Sequence, residues 1–488
     1  MHDCGPDRGA KGWIGSLKRE RLLVAAVPRF CRRPWRYRAA VASGGEADVD
    51  VVVIGAGLAG LAAAQRLTRK GLQTLVLERD DEPGGRARSE EWAGCTIELG
   101  ASFVTPAYRR LRRLIRDCGL EDRLAPMPNA FRAAIRRDDR WHYLDFRWPE
   151  LEFLRYPGIG WLEKTRLARL LPSQLRTVLT ARFFDMASAA GVDSRPLEDV
   201  VGPAANRYFA SPAAEVFCGY PPEDVSLAFG VLGSRYPTRR PWIMRGGLGS
   251  LTAELARRLQ VRCGVRVKRV RSEGPGMVAA ETRDGRTFRA RAVVLATRAS
   301  ETLELWSQAP EETRRFLIGQ AYSHGLGVFL RTREAVRRTD PRGRELYMEI
   351  APRGEGTEAL LSVIYLNEAA PDGGLLLLDA FPGSAAASAD DNELAGRLES
   401  EFVALHPELR TQVTARRTLR WRVFVPSYPA GRARELAVFR AGLAPGPVQL
   451  AGDYLYGPLM EAAVRAGQEA AARASHHLRS RKPPPVSP

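Results

Sequence analysis

The chain has few of the residues that usually announce a site. Its six cysteines, Cys4, Cys31, Cys95, Cys118, Cys218 and Cys263, lie far apart, with no CxxC pair and no histidine at ligand spacing. That excludes a zinc ribbon or a dithiol redox motif, leaves reduced structural thiols and predicts no metal site. Lysine is scarce as well: only Lys11, Lys18, Lys70, Lys164, Lys268 and Lys482 contribute to the 74 cationic residues. The formal net charge of +18 therefore rests on arginines, and these are scattered among acids along the whole length. Without a basic motif interleaved with aromatics, the charge does not imply a nucleic-acid partner. No long apolar run is present either. Stretches such as "LLVAAV" and "GLLLLDAF" fall far short of the ~20 residues that cross a bilayer, so any membrane contact is expected to be peripheral. No internal repeat occurs.

What remains is ordinary for a globular protein: 45% hydrophobic and 27% charged residues in 488, enough for two domains. The first 46 residues differ, with ten Arg or Lys against four acids and a small-residue ending after "YRAAVAS". An acid-poor, arginine-rich leader ahead of a first strand reads as an organelle transit peptide, with a disordered basic tail as the plainer alternative. "YRAAVA" resembles plastid processing sites, which puts chloroplast ahead of mitochondrion. At the other end, 480–488 is Pro-rich and expected to be disordered.

Positive signals begin at "DVVVIGAGLAGLAAAQRLTRKGLQTLVLERDDEPGGRAR". Val51 to Ile54 form a continuous apolar run, as in a strand buried on both faces. Leu58 to Lys70 has helical spacing, and Gly71 sits at a C-cap position. "QTLVLE" supplies a second strand. Between them, Gly55 permits a sharp turn, Gly57 lets backbone N–H groups, with that of Ala56, come close to a pyrophosphate, and Gly60 lets helix pack on sheet. Glu78, 23 residues after Gly55, is placed to accept from ribose hydroxyls. The pyrophosphate would rest on the helix N-terminus, where unpaired N–H groups favour an anion. An NAD domain would look much the same up to this point. "EPGGRARS", however, adds Gly84, Gly85 and Arg86, whose guanidinium can pair with phosphate. Farther along, Tyr108 to Gly219 reads as a long arginine-rich helical region, Val261 to Leu295 as successive strands, and Asp390 to Leu405 as helix. "VQLAG" reads as a last strand, followed by a helix from Met460 to Leu478.

With "GAGLAGL", "PGGRARS", "ELGAS" and "LAGDYLYGPLMEAAVRAGQEAA" in this order, the chain resembles the flavin-containing amine oxidoreductase superfamily. That superfamily includes monoamine and polyamine oxidases, protoporphyrinogen oxidases and plant-type carotene desaturases. The resemblance runs from Asp50 to about Leu478. It implies FAD as cofactor, with Gly100 and Ala101 near the flavin ring, a backbone group of Val267 on the adenine, and Gly452 and Asp453 on the ribityl side. Met460, Glu461 and Ala462 would open a helix facing the flavin O2 edge, where an N-terminus stabilises the negative charge of reduced flavin. No cysteine lies in that last block, so the flavin is expected to be non-covalent.

The resemblance also implies an α/β fold: a Rossmann-like FAD domain of the glutathione-reductase kind (47–115, 225–300 and 421–479) with an inserted mixed α+β substrate domain (116–224 and 301–420). "RWRVFVPSYPAGRARELAVFRAGL" lacks the Gly-aromatic motif of the amine oxidases, and its "W....P.Y..G....L" resembles the protoporphyrinogen oxidase and carotene desaturase branch. A large apolar substrate with O2 or a quinone as acceptor leads; an amine substrate, or a flavin-free hydrophobic carrier, are the alternatives. No catalytic acid or base declares itself. His324, Trp421 and Tyr428 are as easily structural as pocket-lining. Residues 157–184 read as a basic amphipathic helix, suited either to a membrane surface or to its own domain.

Overall fold

The computed structural model describes residues 48–480 except 128, 131, 148, 166–176, 178, 183–184, 234–240 and 275. The leader, the Pro-rich tail and the middle of the amphipathic segment therefore lie outside the described residues.

Two sheets organise the chain. The first is built on the apolar strand Val49–Ile54, whose Val51, Val52 and Val53 are fully buried. It pairs in parallel with Thr74–Leu77 on one side and Thr287–Leu295 on the other, in register Val53↔Val76 and Val53↔Val294. Gln260–Arg262 and Val448–Leu450 extend the parallel part, and the meander Val267–Ser272, Val278–Thr282 adds antiparallel strands at one edge. This is the Rossmann-like α/β sheet expected from the sequence. Its strands come from three separated stretches of chain.

The helix Leu58–Thr68 lies on this sheet and is itself covered by the helix Met460–Ser480. Small residues make that sandwich possible. A Cβ at Gly60 would stand 1.9 Å from the Gly55 carbonyl, and one at Gly467 would stand 2.0 Å from the Ala59 carbonyl. The first helix ends at Thr68, with Gly71 at φ +78° and the Leu72 N–H returning to the Leu67 carbonyl.

The second sheet runs in the order Val413–Trp421, Gly325–Thr332, Gly374–Ala380, Leu360–Tyr365, Met348–Ile350, Arg132–Arg137, Arg140–Asp145. One face packs on the helix Asp391–Leu405 through Leu330, Leu376, Leu378, Leu398 and Phe402. Asp390 caps that helix, accepting from the N–H of Asn392 at 2.8 Å. The two strands Arg132–Arg137 and Arg140–Asp145 correct the helical reading of 108–219. "RAAIRR" has helix-forming composition, but Ala133, Ala134 and Ile135 are fully buried between partner strands, and pairing overrides propensity.

Candidate functional site

A cavity of about 1400 Å³ begins at the glycine turn of the first sheet and continues to the open face of the second. Gly55 turns the chain at φ +101°, and a Cβ there would press on the Ala296 carbonyl at 2.8 Å. Gly57, at the N-cap of Leu58–Thr68, differs. A Cβ on it would meet nothing nearer than the Gly84 carbonyl at 4.0 Å, and would stand in the cavity itself. The turn is held by Glu78, whose carboxylate accepts from the N–H of Ala56 at 2.6 Å and of Asp80 at 3.0 Å. Each carboxylate oxygen keeps acceptor capacity for a hydroxyl. Gly84 donates to the Ala56 carbonyl at 2.8 Å, laying "PGGR" alongside the turn, with Gly85 at φ +54° beside Gly57.

Two distant blocks meet at Arg86 and Asp453. The guanidinium donates one hydrogen bond to the carboxylate at 2.9 Å, makes a second ion-pair contact with it at 2.8 Å, and donates to the Phe424 carbonyl at 2.9 Å. Burial works against the Arg86 charge, but the Asp453 carboxylate outweighs it and holds the guanidinium pKa above its ordinary value. Arg86 is thus paired with Asp453 while still lining the cavity. The "ELGAS" loop rests on the same residue: Ala101 donates to the Arg86 carbonyl at 2.9 Å, and a Cβ at Gly100 would stand 2.3 Å from that oxygen.

Of the predicted site residues, Gly55, Gly57, Glu78, Gly85, Arg86, Gly100, Ala101, Val267, Gly452, Asp453 and Met460 line the one cavity. Four do not. Ala56 is fully buried and spends its backbone groups on Glu78 and Gly84. Gly60 works at the helix–sheet contact. Ala462 is buried in the core. Glu461 turns away, accepting from the N–H groups of Arg110 and Leu111 at 2.8 and 2.9 Å, where it caps the helix Arg109–Asp117. Besides Met460, the cavity meets Gly457, Pro458 and Leu459 just ahead of the C-terminal helix and Ala463 in its first turn.

The far compartment is aromatic. Phe103 packs edge-on to Phe217 at 6.2 Å, and Phe146 and Phe153 both meet Phe209, at 6.0 and 5.5 Å. No periodic signal in the sequence separates these cavity residues from core phenylalanines. His324 opens to the cavity, with Nδ1 2.6 Å from the Arg422 carbonyl. Trp421 also lines it, its indole donating to the Leu99 carbonyl at 2.8 Å. Tyr428 does not: it is fully buried, and its hydroxyl donates to the Tyr454 carbonyl at 2.9 Å. Cys218 lines the cavity, but burial pushes its thiol up to about 12, which keeps it protonated.

Three cavity carboxyls are raised by burial to about 7: Glu98, eased back by bonds from Ser89 and the Leu248 N–H, Glu215, and Asp379. Their ordinary values are 4.5, 4.5 and 3.8, so the folded protein holds protons that the unfolded chain has released. Their contribution to stability is present at low pH and is lost as pH rises through about 7. His142, lowered by burial from 6.5, acts oppositely but only below that pH. The melting temperature is therefore expected to fall between pH 6.5 and 8, and Glu215→Gln should flatten the fall; calorimetry showing a rise over that interval would contradict the assignment.

The family model described as flavin containing amine oxidoreductase matches residues 58–475. Curated relatives include the neurosporene-forming phytoene desaturase of Rhodobacter capsulatus, 53% identical over 68 residues (14% of this chain, 13% of that protein). Phytoene dehydrogenase of Streptomyces griseus is 28% identical over 263 residues (48% and 51%). The chain thus spans at most about half the length of these relatives. Among solved structures, a putrescine oxidase double mutant superposes with a TM-score of 0.71 at 16% identity, covering 88% of this chain and 99% of that one. Cyclohexylamine oxidase from Brevibacterium oxydans gives 0.70 at 21%, with the same coverage. These likenesses give the fold, and the family match over most of the length decides the rest: the chain belongs to the flavin-containing amine oxidoreductase family.

Proposed function

We propose that the protein is an FAD-dependent oxidoreductase that takes a hydride from a C–H bond of a large, mainly apolar substrate, with O2 or a quinone as final acceptor. The observation that carries this reading is the single cavity of about 1400 Å³ joining the glycine cradle to the aromatic compartment. Ligand sites usually occupy ~300–1,000 Å³, so the space suits a cofactor with a second molecule beside it. FAD, when bound, supplies the two-electron acceptor. The chain supplies the rest: the N-terminus of Leu58–Thr68 would receive the pyrophosphate, Glu78 the ribose, and Arg86 with Asp453 would fasten the two halves of the cradle. The start of Met460–Ser480 offers its dipole to developing negative charge. The aromatic wall keeps water out and orients the donor carbon, which is the main demand of hydride transfer. The lack of a cysteine in the block around Asp453 and Met460 supports a non-covalent cofactor.

Mixed anaerobically with carotene, porphyrinogen and polyamines in turn, the holoprotein is expected to lose its flavin absorbance with one of the first two. Bleaching by polyamines alone would favour the amine reading, and a colourless protein the carrier. The leader suggests plastid import, and a reporter fused to residues 1–46 that stays cytosolic would remove that part.

Peripheral membrane contact also fits an apolar substrate. Leu151, Leu154, Trp161, Leu162 and Leu179 are exposed, Trp161 at 74% and Leu162 at 84%, close in sequence to Phe153 on the cavity wall. Arginines and Lys164 share the segment, a pairing that anionic lipid favours. Trp161→Ala with Leu162→Asp is expected to abolish co-flotation with phosphatidylserine vesicles; unchanged flotation would count against this face.

A further inference from the structure

Forming a double bond by oxidation removes two hydrogens: one leaves with its electron pair, the other as a proton. The proton needs an acceptor where the cradle meets the aromatic compartment, and most groups of the chamber serve poorly. Cys218 keeps its own proton. Arg86 and Arg422 have no lone pair to offer, and Asp453 is held by Arg86. Burial disfavours the anions of Glu98, Glu215 and Asp379, so each already holds a proton in about half of the molecules near pH 7.

His324 differs. It stands one residue before the strand Gly325–Thr332, is exposed and lines the cavity. Its neighbours fix its place from three sides. The Ser323 carbonyl just before it accepts from the Phe424 N–H at 2.8 Å, and the Phe424 carbonyl accepts in turn from Arg86. Gly325, just after it, pairs with Trp421. The helix Ser211–Cys218 ends against the same corner: Ser323 Oγ donates to the Cys218 carbonyl at 2.7 Å, and a Cβ on Gly219, at φ +60°, would stand 2.9 Å from the His324 carbonyl. The residue therefore lies at the seam between Arg86 of the cradle and Phe217 of the aromatic wall.

The ring itself is oriented. Nδ1 lies 2.6 Å from the Arg422 carbonyl, and a carbonyl oxygen only accepts, so Nδ1 carries a hydrogen. The lone pair of the neutral ring is then on Nε2, which has no hydrogen-bond partner among the described residues. A bond at one nitrogen that fixes the tautomer, with the other nitrogen open, is the arrangement a general base requires.

Resting on the reading of the protein as an oxidoreductase of apolar substrates, we propose that His324 Nε2 takes the proton released in the oxidation. The electron pair of one C–H bond leaves with its hydrogen as hydride to the two-electron acceptor. The hydrogen on the adjacent carbon, or on a conjugated pyrrole nitrogen, passes to Nε2, and its bonding pair completes the new double bond or stays on the nitrogen. The imidazolium so formed is exposed and returns the proton to water.

Two measurements on the holoprotein test this. Diethyl pyrocarbonate acylates an imidazole nitrogen that has an open lone pair, so peptide mass spectrometry is expected to find His324 modified and His406, 1% exposed, untouched. In anaerobic single-turnover mixing with carotene and with porphyrinogen, His324→Asn, whose amide can still donate to the Arg422 carbonyl, should bleach at least about 100-fold more slowly than the parent, with the flavin content and half-saturating substrate unchanged. Added imidazole should restore part of the rate to His324→Ala, which a merely structural histidine would not allow. An unmodified His324, an Asn variant as fast as the parent, or an Ala variant indifferent to imidazole would overturn the assignment while the oxidoreductase reading stands. Bleaching of the parent by neither substrate would remove that reading and the proton step with it.

Discussion

Gly57→Val is expected to give a folded but colourless protein, whereas Gly60→Val is expected to give little folded protein at all. The two glycines are three residues apart in one motif, yet their surroundings differ. A Cβ at Gly57 projects into the cavity, and its backbone angles, φ −75° and ψ 178°, suit a valine. Losing a glycine N-cap to a β-branched residue costs about 1 kcal/mol, which a domain of ordinary stability survives. The methyls would occupy the space through which a pyrophosphate approaches the helix N-terminus. At Gly60 the added carbon would lie 1.9 Å from the Gly55 carbonyl, a clash that only separating helix from sheet relieves. Overpacking of that kind costs about 3 kcal/mol or more. Cofactor content read from visible absorbance and melting read by circular dichroism distinguish the two cases. A yellow Gly57→Val protein would place the pyrophosphate elsewhere.

The same motif shows what a linear reading reaches. The strand, the turn, the helix and Glu78 were legible because each depends on neighbours within about 25 residues: burial on both faces, a positive φ, a C-cap glycine. The final helix was legible for the same reason. Partnerships across the chain were not. Arg86 reads as a free cation until Asp453, 367 residues later, is seen in its grip. Glu461 follows a motif that suggests the flavin, but its carboxylate caps a helix 350 residues upstream. The strands Arg132–Arg137 and Arg140–Asp145 owe their conformation to each other and to Met348–Ile350, and nothing local in an alanine- and arginine-rich stretch announces that pairing. The chamber is the extreme case: Phe103, Phe209, Glu215 and Asp379 share it only because two sheets and a helix meet there.

Asp453→Ala is expected to lose the cofactor and also to destabilise the apoprotein, and the second effect carries the information. The carboxylate is 8% exposed, takes one Arg86 hydrogen bond and is its ion-pair partner at 2.8 Å, so its removal leaves a guanidinium without its counter-ion at the joint of two blocks. Breaking a buried pair from one side costs about 3 kcal/mol, here reduced somewhat because Arg86 itself is 37% exposed on the cavity side. Removing both charges should cost less than removing one. In an Arg86→Met background, Asp453→Ala is expected to lower the urea midpoint little, since no charge is then stranded. Neither background should retain flavin, because the cradle is held by the pair and not by either residue alone. If Asp453→Ala costs the same in the Arg86→Met background as in the parent protein, the two residues are uncoupled. The halves of the cradle must then be fastened by the contact of the C-terminal helix with Leu58–Thr68 at Gly467 and Ala59.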